Sequence, residues 1–143
     1  MNDDAVYFEF YNAEGLLEEP KSYFVMTADM IAAAGLGDGG EAVGLGCANG
    51  SFLHYLHHRF PDCRLTGVDV FDEMLDQGRG HLAEATFQNA SILDLPDDLY
   101  GRFDIVTSLG VMLVFDDAVL PAYIDNVLKC LKPGGRAFIM SVF

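Results

Sequence analysis

The sequence predicts a single α/β domain, residues 1–143, with a doubly wound and mostly parallel sheet. From Ala42 onwards, short apolar segments typical of buried strands alternate with segments of helical periodicity. A glycine-rich turn joins the first strand to a helix, and an acidic residue, Asp69, ends the next strand. The 143 residues are enough for one hydrophobic core and too few for two.

The βαβ unit between Glu41 and Asp69 organises the rest of the chain. Its predicted elements are a strand at 42–45, a glycine-rich turn at 46–50, a helix at 51–60 and a strand at 65–68. Glycines in such a turn let a ligand approach the backbone, and the helix N-terminus presents unpaired N–H groups. The Asp69 carboxylate is placed to accept hydrogen bonds from ribose hydroxyls. The unit therefore predicts an adenosine-type ligand.

The flanking elements follow from capping residues, breakers and periodicity. We expect helices at 22–34 and 117–131, and strands at 86–89, 103–109 and 136–143. A further helix is expected to begin at Asp72, and Gly78 and Gly80 should loosen its end. The last helix has an apolar stripe of Leu120, Ile124, Val127, Leu128 and Leu131, and the Lys132–Gly135 turn ends it. Residues 1–21, with aromatics among acids, are predicted to form an arm or lid.

Composition narrows the range of partners. The formal charge of −14, with 8 Lys and Arg against 22 Asp and Glu, argues against nucleic acid. Apolar runs fall far short of the roughly 20 residues that cross a bilayer, so no membrane partner is expected. No secretory signal is visible at the N-terminus, which makes the cytoplasm the default location.

Cysteines and histidines give no metal prediction. Cys47, Cys63 and Cys130 lack metal-site spacing and are interpreted as reduced thiols. The helix predicted at 51–60 contains three histidines, at 54, 57 and 58. No second cluster of potential ligands lies near them in the sequence, so we expect no metal site. His81 is interpreted as a loop histidine rather than a general base.

Five sequence blocks carry a family resemblance. They are GLGCANG, LTGVDVFDEML, FQNASILDLP, FDIVTSLGVM and VLKCLKPGGRAFI, in that order. This series resembles the class I S-adenosylmethionine-dependent methyltransferases. The resemblance covers roughly 42–143 and implies a Rossmann-like sheet with the strand order 3-2-1-4-5. It also implies S-adenosylmethionine as cofactor and S-adenosylhomocysteine as product.

The resemblance implies the site residues. The turns after strands one to four supply, in chain order, Gly46, Cys47, Ala48, Asn49, Gly50, Asp69, Val70, Phe71, Asn89, Ala90, Ser91, Ser108, Leu109 and Gly110. The glycine loop would pass under the methionine part of the cofactor, and Asp69 would bridge the ribose hydroxyls. Val70 and Phe71 would form an apolar wall for adenine, and the Asn89 carbonyl would accept from its amino group. The end of strand four would flank the methyl group.

The chain departs from the family pattern at two positions of the loop. Gly44 stands where an acid is common, and Ala48 replaces the middle glycine. The family fold normally continues past strand five, so we expect a fold truncated before strands six and seven. Strand five would then be an apolar edge, through which the chain could pair with a second copy.

The resemblance leaves two functions open. One is methyl transfer to an unidentified small molecule, with catalytic residues unknown. The other is a non-catalytic cofactor-binding remnant or partner subunit. A nicotinamide oxidoreductase is disfavoured because Asn49 stands where a GxGxxG motif would have its third glycine.

Overall fold

Five strands form one parallel sheet in the order β3-β2-β1-β4-β5. The computed structural model describes residues 19–141. The strands are β1 (Glu41–Leu45), β2 (Arg64–Asp69), β3 (Thr86–Asn89), β4 (Phe103–Leu109) and β5 (Leu131–Met140). The predicted fold class and strand order are confirmed. The predicted arm and the last strand residues, Val142 and Phe143, lie outside the described residues apart from the arm's end at 19–21.

The helices cover both faces of the sheet. They are α1 (Ser22–Ala33), α2 (Ser51–Arg59), α3 (Asp72–His81) and α4 (Leu120–Lys129), with short 3-10 segments at Asp97–Leu99 and Met112–Val114. Neighbouring strand residues point to opposite faces, so Ala42 packs with α1 to α3 and Val43 packs with α4. No helix within 19–141 is long and apolar enough to span a membrane.

The end of the chain differs from the sequence prediction. The helix expected at 117–131 is shorter, and its buried residues are Tyr123, Asn126 and Val127, while Leu128 of the predicted stripe is 49% exposed. The predicted Lys132–Gly135 turn is a bulge within β5, because Phe103 pairs with Leu131 and Ile105 with Arg136. A bulge and a turn both change the direction of the chain, so the residues Lys132–Gly135 alone do not distinguish one from the other.

A charge network joins the amino ends of four strands. Glu41 of β1 accepts from Arg64 of β2 at 3.2 Å and from Arg102, just before β4, at 3.1 Å. Asp104 of β4 accepts from Lys132 of β5 at 2.9 Å and from the Glu41 backbone N–H at 2.9 Å. The network lies at the opposite edge of the sheet from the glycine-rich loop, which follows the carboxyl end of β1.

Candidate functional site

The glycine-rich loop, residues 46–50, is attached to β2 at its start. The Gly46 and Cys47 N–H groups both donate to the Val68 carbonyl, at 2.8 and 2.9 Å. Gly46 has a φ of +75°, and a side chain there would clash with Val111. Glycine therefore suits this position best, since a Cβ would be strained by the left-handed backbone and would meet the Val111 side chain. Ala48 also has a positive φ, +51°, and is 2% exposed.

Asn49 shapes the second half of the loop. Its Oδ1 accepts from the Ser51 N–H at 3.2 Å and from the Ser51 hydroxyl at 2.6 Å, which caps the start of α2. Its own carbonyl lies 2.6 Å from Nε2 of His81. Asn49 is 5% exposed, so its side-chain amide and its backbone carbonyl are both held inside the protein.

Asp69 supports the same loop from the end of β2. Its Oδ2 accepts from the Ala48 N–H at 2.8 Å, and its Oδ1 accepts from the N–H groups of Val70 and Phe71 at 2.8 and 3.0 Å. The residue is 5% exposed. Burial raises the pKa of this carboxyl above its usual range, and the three amide hydrogen bonds oppose that shift. A carboxylate offers about four acceptor sites, so three backbone bonds leave little capacity for ribose hydroxyls.

An open cleft lies on the other side of the loop, toward α1. The lining comes from the loop, α1, α2, β1 and β4, namely Tyr23, Phe24, Gly44, Leu45, Gly46, Cys47, Ala48, Asn49, Ser51, Phe52, Leu53, Thr107 and Leu109. No Lys, Arg, Asp, Glu or His of the described residues belongs to this lining. Burial and the Asp69 charge raise the pKa of the Cys47 thiol, which disfavours the thiolate form that a nucleophile needs.

The ends of β2 and β3 provide exposed groups outside this cleft. Val70 is 52% exposed, as an apolar wall for a flat ligand requires. The exposed Asn89 donates through Nδ2 to Asp72 Oδ1 at 2.8 Å and to the Val70 carbonyl at 3.2 Å, which leaves its own carbonyl as an acceptor. Phe71 precedes α3, and Ala90 and Ser91 continue past β3. These residues lie in neighbouring turns, as the sheet order requires.

The end of β4 contributes less than the sequence predicts. Leu109 lines the cleft, but the Ser108 side chain is fully buried and accepts a hydrogen bond from the Tyr123 hydroxyl at 2.6 Å. It therefore faces α4, on the other side of the sheet, and only its backbone can flank a ligand. Gly110 has a φ of +73° and donates to the Met140 carbonyl at 2.8 Å.

Two features of the site were not predicted. Tyr23 and Phe24 of α1 line the cleft, and an aromatic pair at a helix start was the only available signal. His81 is the last residue of α3 and contacts the loop, so the interpretation as a loop histidine is wrong. Gly78, predicted to loosen this helix, lies inside it and is buried, and a Cβ there would press on Phe87. Within 19–141, no group of three or more potential ligands is arranged to hold a metal.

The sheet order, the glycine-rich loop and the polar groups at the strand ends are those of α/β proteins whose ligand sites lie at the carboxyl ends of parallel strands. A family profile described as "Methyltransferase domain" matches residues 42–135. The chain belongs to this family, within the class I S-adenosylmethionine-dependent methyltransferases.

Curated relatives agree with the family. The chain is 31% identical over 100 residues to an uncharacterised protein of Rickettsia prowazekii, covering 66% of this chain and 40% of that protein. It is 30% identical over 113 residues to a trans-aconitate 2-methyltransferase of Rhodopseudomonas palustris, covering 75% of this chain and 40% of that enzyme. The chain thus spans about 40% of the length of these relatives.

A solved structure shows the same fold. An amino pentose methyltransferase from Micromonospora echinaspora, solved with bound S-adenosylmethionine, superposes with a TM-score of 0.77 at 22% identity. The match covers 96% of this chain and 56% of that one.

Proposed function

We propose that the chain binds S-adenosylmethionine and transfers its methyl group to a small molecule. The observation that carries this proposal is the glycine-rich loop, whose backbone forms one wall of the open cleft. When bound, the cofactor supplies a methyl group on a sulfonium, which is electrophilic without further activation. The protein's part is then mainly to place the acceptor in line with that group.

The residues present fit this cofactor at most of its contact points. The loop backbone from Gly46 to Asn49 would hold the methionine part, exposed Val70 would pack on adenine, and the Asn89 carbonyl would accept from the adenine amino group. Asp69 fits less well, because its acceptor sites are mostly occupied by the protein's own amides. Its contact with ribose stays a prediction, as do the roles of Cys47, Gly50, Phe71, Ala90, Ser91, Ser108, Leu109 and Gly110.

Calorimetry tests cofactor binding. We expect S-adenosylmethionine and S-adenosylhomocysteine to bind and NADH not to bind. Binding of NADH without a response to either adenosyl compound would contradict the proposal.

The charges of the chain favour an acceptor that carries few negative groups. All 8 Lys and Arg lie between residues 21 and 136. Five are ion-paired with carboxylates, namely Arg59, Arg64, Arg79, Arg102 and Lys132. Arg136 donates to backbone carbonyls, and Lys129 lies over the Tyr100 ring. Lys21 lies over the ring of Tyr23, a cleft residue, at 5.6 Å, and no described Lys or Arg belongs to the cleft lining itself.

A tricarboxylate such as trans-aconitate needs several cations to bind it. We therefore propose that the acceptor of this chain differs from that of the trans-aconitate methyltransferases. We expect no S-adenosylhomocysteine to form when trans-aconitate is the acceptor, as measured by mass spectrometry. Turnover with trans-aconitate would overturn this acceptor class.

The alternative proposal is a non-catalytic cofactor-binding remnant or a partner subunit. It is favoured by the cleft lining, where the described residues include no carboxylate or imidazole that could take a proton from an acceptor. A turnover assay with neutral and amine acceptors separates the two. Methyl transfer by the isolated chain would exclude the remnant, whereas cofactor binding without turnover across the acceptor panel would favour it.

The single domain, its lid and its assembly remain predictions. Within 19–141, β5 is an edge strand with one neighbour, and Ile139 on it is 36% exposed. We propose that a second copy pairs with this edge. Light scattering at micromolar concentration should then give the mass of a dimer, and a monomer mass would contradict the pairing.

A further inference from the structure

A histidine pair lies behind the glycine-rich loop, on the side away from the cleft. His81 of α3 and His54 of α2 have ring centroids 5.3 Å apart in an edge-to-face arrangement. Neither residue lines the cleft. The pair is half-buried, and it connects two helices to the loop through one hydrogen bond.

The partner of that hydrogen bond determines the protonated nitrogen of His81. Nε2 lies 2.6 Å from the Asn49 carbonyl, and a carbonyl can only accept. Nε2 therefore carries the proton, and in the neutral ring Nδ1 is a bare acceptor. The Nδ1 atoms of both His81 and His54 are buried and have no hydrogen-bond partner among the described residues.

The bond reaches a part of the loop that other hydrogen bonds also hold. Asn49 is 5% exposed and caps α2 through its side chain, and the preceding residue, Ala48, donates to Asp69. A hydrogen bond between residues separated by 32 positions holds the carbonyl of this residue in one orientation. The peptide that follows this carbonyl leads directly into α2.

We propose that His81 is a positioning residue of the cofactor site, whose Nε2–H holds the Asn49 carbonyl and thereby keeps the glycine-rich loop in its binding shape. The ligand in this inference rests on the proposed function. The His54 ring packs against His81 and limits the directions in which it can turn. His81 itself acts only through the loop.

Side chains of different reach test this role. Calorimetry with S-adenosylhomocysteine on the full chain would compare His81→Gln, His81→Asn and His81→Phe. The Gln amide places an N–H near the position of Nε2, Asn is too short to do so, and Phe keeps the ring without a donor. Because a buried carbonyl loses its partner, we expect Asn and Phe to weaken binding by about tenfold, and Gln to stay within about threefold of the wild type.

The matched control is His58→Phe. His58 is exposed on α2 and does not line the cleft, so its replacement should leave the affinity unchanged. Equal affinity of the wild type, His81→Asn and His81→Phe would overturn the inference. A Gln variant as weak as the Phe variant would also overturn it, because the ring's shape rather than its donor would then matter.

A second measurement separates this inference from the proposed function. Amide hydrogen exchange at Gly50 and Ser51, in the ligand-free protein, should be about tenfold faster in His81→Asn than in His81→Gln, because the first loses the hydrogen bond and the second keeps it. If S-adenosylhomocysteine does not bind the wild type, the proposed function fails and the exchange result still tests His81. Equal exchange in both variants, with binding intact, would overturn the role of His81 alone.

Discussion

The two flanks of the glycine-rich loop are built from different chemistry. The flank toward α1 is the cleft, which is lined mainly by aromatic, aliphatic and small side chains, and none of these described residues is charged. The opposite flank is polar, with Asp69 accepting from Ala48 and His81 contacting the Asn49 carbonyl. The difference teaches that side-chain hydrogen bonds hold the loop from its polar flank, whereas the cleft flank leaves the loop backbone open. A polar residue near the loop can therefore be essential to the site without contacting its ligand.

The largest expected effect comes from the polar flank. Asp69→Ala removes the acceptor of three N–H groups inside the protein, at Ala48, Val70 and Phe71. We expect the free energy of unfolding to fall by about 4 kcal/mol, measured by urea denaturation. This replaces the simpler expectation that Asp69 matters only for ribose.

Asp76→Ala is the control for this prediction. Asp76 is 74% exposed in a surface pair with Arg79, so its loss should cost less than about 0.5 kcal/mol. A similar small effect at Asp69 would show that the loop amides do not depend on the carboxylate.

The next effect separates backbone shape from close packing. Gly46 and Gly110 have φ angles of +75° and +73°, but only at Gly46 would a Cβ meet a neighbour, Val111. Gly110→Ala should therefore cost about 1 kcal/mol, from the left-handed backbone alone. Gly46→Ala should cost about 3 kcal/mol in urea denaturation, because the clash is added. Equal costs would mean that Val111 moves aside freely.

A smaller effect tests which face of β4 Ser108 belongs to. Ser108→Ala leaves the Tyr123 hydroxyl without its described acceptor, and we expect a loss of about 1 kcal/mol in unfolding free energy. Affinity for S-adenosylhomocysteine should change by less than about twofold, because the side chain faces α4. Tyr123→Phe, combined with Ser108→Ala in a double-mutant cycle, should show that the two losses are not additive. A large loss of affinity in Ser108→Ala would place its hydroxyl in the site.

The smallest effect is the pH dependence of the polar flank. The pKa of His54 is lowered from its ordinary value of 6.5, first by burial and then by the nearby His81. Other groups that act on it are His57 and His58 of α2, which lower the pKa, and Glu84, which raises it. The unfolded chain therefore takes up a proton before the folded one does. Stability from this group is complete above pH 6.5 and falls as the pH drops through the lowered pKa.

Urea denaturation at pH 7.5 and 5.5 measures this dependence. We expect His54→Gln to lose less stability over this interval than the wild type. An unchanged pH dependence in His54→Gln would show that His54 keeps its ordinary titration in the folded protein.

The strands and the glycine-rich loop could be predicted from the sequence because glycines, apolar runs and their spacing are local signals, whereas the strand order followed from the family resemblance. The direction of Ser108 could not, since β4 is buried on both faces and the alternation between faces is not visible in its composition. The contact between His81 and Asn49 joins positions that only the folded sheet brings together. Asp69 shows a third case, in which a motif locates the residue correctly but not the partners of its oxygens.

The charge network at the amino ends of β1, β2, β4 and β5 has a consequence for strand alignment. Buried parallel strands that are apolar on both faces can slide past one another with little loss of hydrophobic contact. Glu41 and Asp104 resist such sliding, because a shift of one residue would move each carboxylate away from its cation and point it to the other face. Ionic side chains at the amino ends of the strands thus add to the packing that favours the observed alignment. The same alignment determines how far the carboxyl end of each strand extends. It therefore also determines where the turns that follow the strands, including the glycine-rich loop, lie relative to one another.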